Sequence, residues 1–139
     1  MAIVKKGTPI IEELTVETAT DMYPGRLVKK GTTDSDIVVN DGTSPVGWLG
    51  YEHTAGLYQP ADENTAYTVG DIVAVLHGGI RLKAHLASGQ SVVKGDPLKP
   101  VANGELAAAT VGTDEIVAYA AETMDATGGA ADIEVWSVI

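Results

Sequence analysis

The 139-residue sequence contains no cysteine and no phenylalanine, and it has only two tryptophans. Without cysteine there can be no disulfide, no thiolate nucleophile and no zinc–cysteine site. Because intracellular proteins seldom carry disulfides, this composition is typical of a reducing cytoplasm. The apolar fraction of 45% consists mainly of Val, Ile, Leu and Ala, and the β-branched members of that set favour strands.

Basic residues are scarce, and the last forty positions have none. Nine Lys and Arg face nineteen Asp and Glu, which gives a formal charge of −10. Since phosphate binding needs clustered Lys and Arg, we expect no nucleic-acid partner. No charged segment leads into an apolar signal region, and the central apolar runs are far shorter than the roughly 20 residues that span a bilayer, so we expect no membrane partner. The acidic charge indicates either solubility at high concentration or an acidic outer face with the partner meeting the N-terminal part.

Short apolar runs separated by Gly and Pro fill the rest of the chain, and the block from Thr68 to Ala107 shows them best. Gly78-Gly79 is suited to a two-residue turn, which predicts a hairpin that pairs Val75 with Leu82. Residues 72–76 are apolar on both faces, whereas 80–86 alternates apolar side chains with Arg81, Lys83 and His85. Eight to ten such runs and no long helix predict an all-β fold, a compact β-barrel or β-sandwich of short strands.

The first 22 residues differ from this pattern. Apolar pairs at Ile3-Val4 and Ile10-Ile11 are separated by a Lys, Gly and Pro segment. We interpret residues 1–22 as an extended N-terminal arm that becomes ordered on a partner, with a frayed terminus as the alternative. Residues 23–139 would then form a single β-rich domain.

No pattern of residues indicates catalysis. The hairpin register places His77 and His85 on opposite faces, so they cannot share a metal ion. Asp71 and Asp96 each follow a Gly, where an Asp commonly caps the local backbone of a turn. The chain also lacks a phosphate-binding loop and a Gly-x-Ser-x-Gly elbow. We therefore predict no catalytic residue, metal or cofactor.

Two binding functions remain as alternatives. The segment from Gln90 to Leu98 is similar to part of lipoyl and biotinyl carrier domains, although Lys83 and Lys94 do not lie at a hairpin tip. A ligand-binding β module, for example for glycans, would use the aromatic residues Trp48, Tyr51 and Tyr58. The segment from His53 to Ala66 has no periodicity and is predicted to be a surface loop, either passive or partner-binding.

The order of the Gly-punctuated segments resembles that of the small capsid cement, or head decoration, proteins of tailed phages. The resemblance rests on five stretches: Pro24 to Val28, Val46 to Tyr51, Tyr67 to Val75 with Gly79-Ile80, Val93 to Leu98, and Ile116 to Thr123 with Asp125 to Gly129. It begins at about Pro24 and does not include the arm.

This resemblance implies a structural virion protein, not an enzyme, that is made in the host cytoplasm and binds the outer surface of the head. It implies a homotrimer at three-fold positions that stabilises the head against DNA pressure, with the major capsid protein as its partner. The apolar arm could add a strand to a capsid sheet. The expected capsid-contacting residues are accordingly Ile3, Val4, Pro9, Ile10, Ile11 and Leu14.

Overall fold

The computed structural model describes residues 3–51 and 62–139, so most of the predicted loop from His53 to Ala66 lies outside the described residues. Within these ranges the chain forms short strands, a closed barrel and one 3₁₀ turn at Ala102–Gly104. The predicted all-β class is thus confirmed. No helix in these ranges has the length and apolar character needed to cross a membrane.

The strands follow the apolar runs and are separated by the Gly-rich and Asp-rich turns. The first six are β1 (Val4–Lys6), β2 (Ile10–Val16), β3 (Leu27–Lys30), β4 (Asp36–Val39), β5 (Gly47–Leu49) and β6 (Ile72–His77). The others are β7 (Arg81–Leu86), β8 (Ser91–Val92), β9 (Pro97–Pro100), β10 (Leu106–Ala108), β11 (Ala118–Ala120), β12 (Met124–Asp125) and β13 (Ala131–Ser137).

The strands form two main sheets. In the first, β2, β4, β3, β5 and β6 close into a barrel. In the second, the order is β1-β7-β10-β9-β11-β13, and an additional pairing of β7 with β13 closes all of these strands except β1 into a ring. A short β8–β12 pair completes the described strands. Closing a sheet removes free edges, which is how small β proteins avoid edge-to-edge association.

Strand β6 separates the two hydrophobic cores. Val73 and Val75 pack inside the first barrel, whereas Ala74 and Leu76 belong to the larger core that includes Leu82 of β7. The side chains of a strand alternate between its two faces, so a strand between two cores must be apolar throughout. This explains why residues 73–76 are all buried.

The predicted hairpin between β6 and β7 is wrong in its pairing, although both strands and the turn lie where expected. Strand β6 pairs with β2 and β5, whereas β7 pairs with β1, β10 and β13. Gly78 has a φ of +107° and joins two sheets at a corner. The alternation predicted for β7 is present, with Leu82, Ala84 and Leu86 buried.

The N-terminal segment lies within the fold, in place of the expected free arm. Strand β1 pairs with β7, and β2 pairs with β6 over six consecutive residue pairs. Ile3 is 1% exposed in the larger core, and Leu14 lies in the core of the first barrel. The physical reason is that β6 and β7 each offer a sheet edge whose backbone groups need partners, and the N-terminal residues supply them.

Two glycines of the first barrel are explained by close backbone approach, as their position within a strand suggests. A Cβ on Gly47 would lie 2.8 Å from the Leu76 carbonyl oxygen, and one on Gly50 would lie 3.1 Å from that of Ala74. The close approach brings Trp48 into the larger core, where its indole N–H donates to Ser137 Oγ at 2.9 Å. This bond connects the two sheets.

Candidate functional site

The two aspartates that follow Gly are used by their own turns. Asp71 Oδ2 accepts the backbone N–H of Thr68 at 2.8 Å, and Asp96 Oδ2 accepts that of Val93 at 2.9 Å. Each carboxylate therefore caps the chain three residues before it, as expected for such turns. Both carboxylates are thus engaged by the backbone of their own turns.

The basic residues of β7 form ion pairs with acids of β13 and with Glu63. Lys83 Nζ is 2.6 Å from Glu63 Oε1 and 3.3 Å from Asp132 Oδ2, and Arg81 Nε is 3.0 Å from Glu134 Oε1. The hydrogen bond to the Glu63 carboxylate raises the pKa of Lys83 above its usual value. The charges of Arg81 and Lys83 are thus largely neutralised, and Lys83 is not free to be a carrier lysine.

His85 lies on the same face of β7 as Arg81 and Lys83. Its Nδ1 is 3.1 Å from Asp132 Oδ1, and its Nε2 is 3.0 Å from the Pro24 carbonyl oxygen. Burial lowers the pKa of His85, because desolvation penalises the imidazolium form. His77 lies on another strand, beside Glu12. Across residues 3–51 and 62–139, no three His, Cys, Asp or Glu side chains are grouped as metal ligands would be.

The aromatic residues expected in a ligand-binding module are not exposed where the structure describes them. Trp48 and Tyr51 are buried, and Tyr58 lies outside the described residues. The exposed aromatics are instead Tyr119 and Trp136, which are direct cross-strand partners on β11 and β13. Sequence reasoning did not propose them as a site. The outward position of Trp136 follows from the alternation of β13, whereas its pairing with Tyr119 has no local sequence signal.

The expected capsid-contacting residues divide into two groups. Ile3 and Leu14 are core residues and Val4 and Pro9 are half-buried, but Ile10 is 69% exposed and Ile11 is 39% exposed. Only Ile10 and Ile11 of the expected set thus offer a large apolar surface to a partner.

These two isoleucines lie on an open edge of β2. Strand β2 pairs with β6 from Ile10 to Thr15, but it pairs with β4 only at Thr15 and Val16. Over residues 10–14 the opposite side of β2 has no strand partner among the described residues. The barrel is therefore closed at one end of β2 and open at the other.

A cavity lies where β2 and β4 separate. Its volume is about 220 Å³. Its lining has an apolar part and a charged part: Leu14, Ile37 and Val46, then Glu12, Lys30, Asp34 and Asp36. Lys30 Nζ is 3.8 Å from Asp34 Oδ1, so two further carboxylates have no lysine of their own in this lining.

Comparison with known proteins gives a family and a fold. No curated protein matches the chain significantly. A solved structure described as head fiber gp8.5 N base in bacteriophage phi29 aligns with a TM-score of 0.61 at 13% identity, over 94% of each chain. Identity this low shows a shared fold alone. Residues 4–135 match the family described as structural cement protein (E217 gp24/Pam3 gp6). Because this match covers nearly the whole chain, including the strands of the N-terminal segment, the protein belongs to the phage structural cement protein family.

Proposed function

We propose that this protein binds the outer surface of a phage head as a homotrimer at three-fold positions and stabilises the head against the pressure of packaged DNA. The observation that carries the proposal is the match of residues 4–135 to a family of structural cement proteins. In this role the protein acts through contacts with the major capsid protein and catalyses no reaction. It is synthesised in the host cytoplasm and joins the assembled head from outside.

Charge and composition support this role. A cement protein is needed in many copies before assembly, and a net charge of −10 opposes its aggregation. The same charge opposes binding to nucleic acid. Three copies in one trimer would present three capsid-binding surfaces together, so modest individual contacts combine through effective concentration.

The contact surface in this proposal is the exposed part of β2 at Ile10 and Ile11. Burying an isoleucine side chain contributes roughly 1.5–3 kcal/mol. Ile3 and Leu14, which were expected to contact the capsid, already lie in the cores. Deletion of residues 1–14 would therefore remove core side chains as well as the surface, so point variants are the better test of the contact.

The experiment mixes the purified protein with undecorated, expanded heads of its own virus and measures co-sedimentation against protein concentration. We expect saturable binding and a higher temperature of head disruption. Native mass measurement should give three times the 14.4 kDa chain mass. Absence of binding to these heads would overturn the proposed function, and a different subunit number would overturn the trimer alone.

The variant Ile10→Ser/Ile11→Ser should weaken head binding while leaving the unfolding temperature nearly unchanged, because both side chains are exposed. The matched control is Val69→Ser/Val111→Ser, whose side chains are 63% and 72% exposed in turns elsewhere. Equal effects of the two double variants would remove β2 from the contact surface.

A further inference from the structure

The backbone hydrogen bonds of β2 show which groups point to its open edge. The N–H of Val16 donates to the Asp71 carbonyl on the β6 side, at 2.9 Å, whereas the N–H of Thr15 donates to the Ser35 carbonyl on the β4 side, at 2.8 Å. Donor direction alternates along a strand. The N–H and C=O groups of Ile11 and Glu13 therefore point away from β6, toward the edge that has no strand partner among the described residues.

An open edge of this kind can accept another strand. The other barrel strands among the described residues each have a strand neighbour on both sides, and this opening lies along the first half of β2. Its side chains combine two exposed isoleucines with Glu12 and Glu13, both exposed. Natural edges often carry charge to prevent pairing with identical edges. The exposed isoleucines can thus contact an added strand, and the two glutamates disfavour strands that carry acidic side chains.

The acidic charge of this edge indicates which kind of segment can pair with it. Pairing of two copies through this edge would bring the Glu12 and Glu13 carboxylates of one copy against those of the other, and directly opposed like charges destabilise a sheet. The adjoining cavity is lined by Glu12, Asp34 and Asp36 with Lys30 as the one basic residue of its lining, and His77 Nε2 lies 3.5 Å from Glu12 Oε1. A lysine or arginine side chain would find its alkyl stem on the apolar lining and its charge among carboxylates.

We propose that the open edge of β2 receives an extended segment of the capsid subunit as an added strand, with one lysine or arginine side chain entering the cavity between β2 and β4. This inference rests on the proposed function and reverses the direction expected from the sequence. The cement protein supplies the sheet edge, and the capsid subunit supplies the strand. The added strand bonds to the backbone at Ile11 and Glu13 and ends where Ser35 already bonds to Thr15.

The test compares Ile11→Pro with Ile11→Ala in the full-length protein. Proline at position 11 removes an N–H that points to the edge, and it leaves the β2–β6 hydrogen bonds intact, because proline is tolerated at such positions of edge strands. Alanine removes the side chain but keeps the N–H. We expect both variants to fold and Ile11→Pro to bind heads about tenfold more weakly than Ile11→Ala, from the loss of backbone bonding. Equal head affinity of the two would overturn the added strand.

Charge and hydrogen exchange give two further readouts that do not depend on the proline variant folding. Glu12→Lys should weaken head binding, and the weakening should decrease as salt concentration rises, because screening reduces the charge term. The amides of Ile11 and Glu13 should exchange slowly only when heads are present. Slow exchange of these amides in the free protein, or no slowing on heads that bind it, would overturn the inference and leave the proposed function standing. Failure of the unaltered protein to bind heads would instead overturn the function.

Discussion

Replacement of Gly25 by alanine tests the contact between the first barrel and the second sheet. Gly25 has a φ of +90°, and its N–H donates to the Leu49 carbonyl at 2.7 Å. A Cβ at this position would lie 2.6 Å from the Lys83 carbonyl oxygen and 3.4 Å from the ring of His85. The alanine would therefore be strained in its own backbone and would also collide with the backbone of β7.

The two effects can be assigned separate magnitudes. A left-handed conformation costs an alanine about 1–2 kcal/mol. A contact of 2.6 Å with the Lys83 carbonyl oxygen has to be relieved by moving β7 away from residue 25, and such overpacking costs roughly 1–3 kcal/mol. We expect Gly25→Ala to lower the free energy of unfolding by about 2–5 kcal/mol, a large share of the ~5–15 kcal/mol typical of a domain.

Two other glycines provide matched controls. Gly70 has a φ of +88° but no heavy atom within 4 Å of its Cβ position, so Gly70→Ala should cost only the backbone strain of about 1–2 kcal/mol. Gly79 has neither a positive φ nor a near neighbour, and Gly79→Ala should raise stability by about 0.4–1 kcal/mol. Gly25→Ala should thus lower the free energy of unfolding most, Gly70→Ala should lower it less, and Gly79→Ala should raise it.

The assay is urea unfolding followed by tryptophan fluorescence, since Trp48 is buried and its environment changes on unfolding. Midpoints are compared at one protein concentration, because self-association would make stability depend on concentration. If Gly25→Ala were no more destabilising than Gly70→Ala, the close approach of Gly25 to β7 would be refuted.

Three further predictions concern side chains. In a double-mutant cycle, Trp48→Phe and Ser137→Ala should show a coupling free energy of about 0.5–1.5 kcal/mol, measured by urea unfolding, because they share one buried hydrogen bond. Burial lowers the pKa of His85, so the unfolded chain binds a proton at higher pH than the folded chain does. Stability should therefore fall as pH drops below about 6.5. In thermal unfolding, His85→Gln should lose less stability over this pH range than the unaltered protein. The hydrogen bond from Lys29 lowers the pKa of Asp41 to about 2, and Lys29→Met should raise this pKa toward the ordinary value in an NMR titration. A carboxylate stabilises the fold only to the extent that its folded pKa lies below its unfolded pKa, so the contribution of Asp41, fully present above about pH 4, should become smaller in this variant.

Strands and turns could be predicted from the sequence because their signals are local. The Gly-Asp turns lie where their residues predict, and their Asp side chains cap the backbone as expected. The alternation of β13 is also present, with Ile133 and Val135 buried between more exposed neighbours. Each of these features depends on residues only a few positions apart.

The partners of β6 and β7 could not be predicted in this way. A Gly-Gly pair permits a tight hairpin, and the same positive φ at Gly78 permits a corner between two sheets. The distinguishing information is that residues 73–76 are apolar on both faces. This means that β6 lies between two cores, and a strand between two cores need not pair with its neighbour in sequence. The apolar run was recognised, but its consequence for pairing depends on strands far away in the chain.

The N-terminal segment shows how the candidate site could be only partly predicted. Short apolar pairs beside Gly and Pro indicate an extended segment, and they do not distinguish a free arm from strands that complete two sheets. The signal for the open edge is more specific: Glu12 and Glu13 interrupt the apolar strand from Ile10 to Val16. If the barrel enclosed this strand along its whole length, one of these carboxylates would be buried without a partner, which is energetically costly. The acidic pair therefore indicates a strand whose C-terminal half pairs on both sides and whose N-terminal half leaves one edge unpaired. Such a strand can receive another chain without leaving the fold, which a free arm could not do.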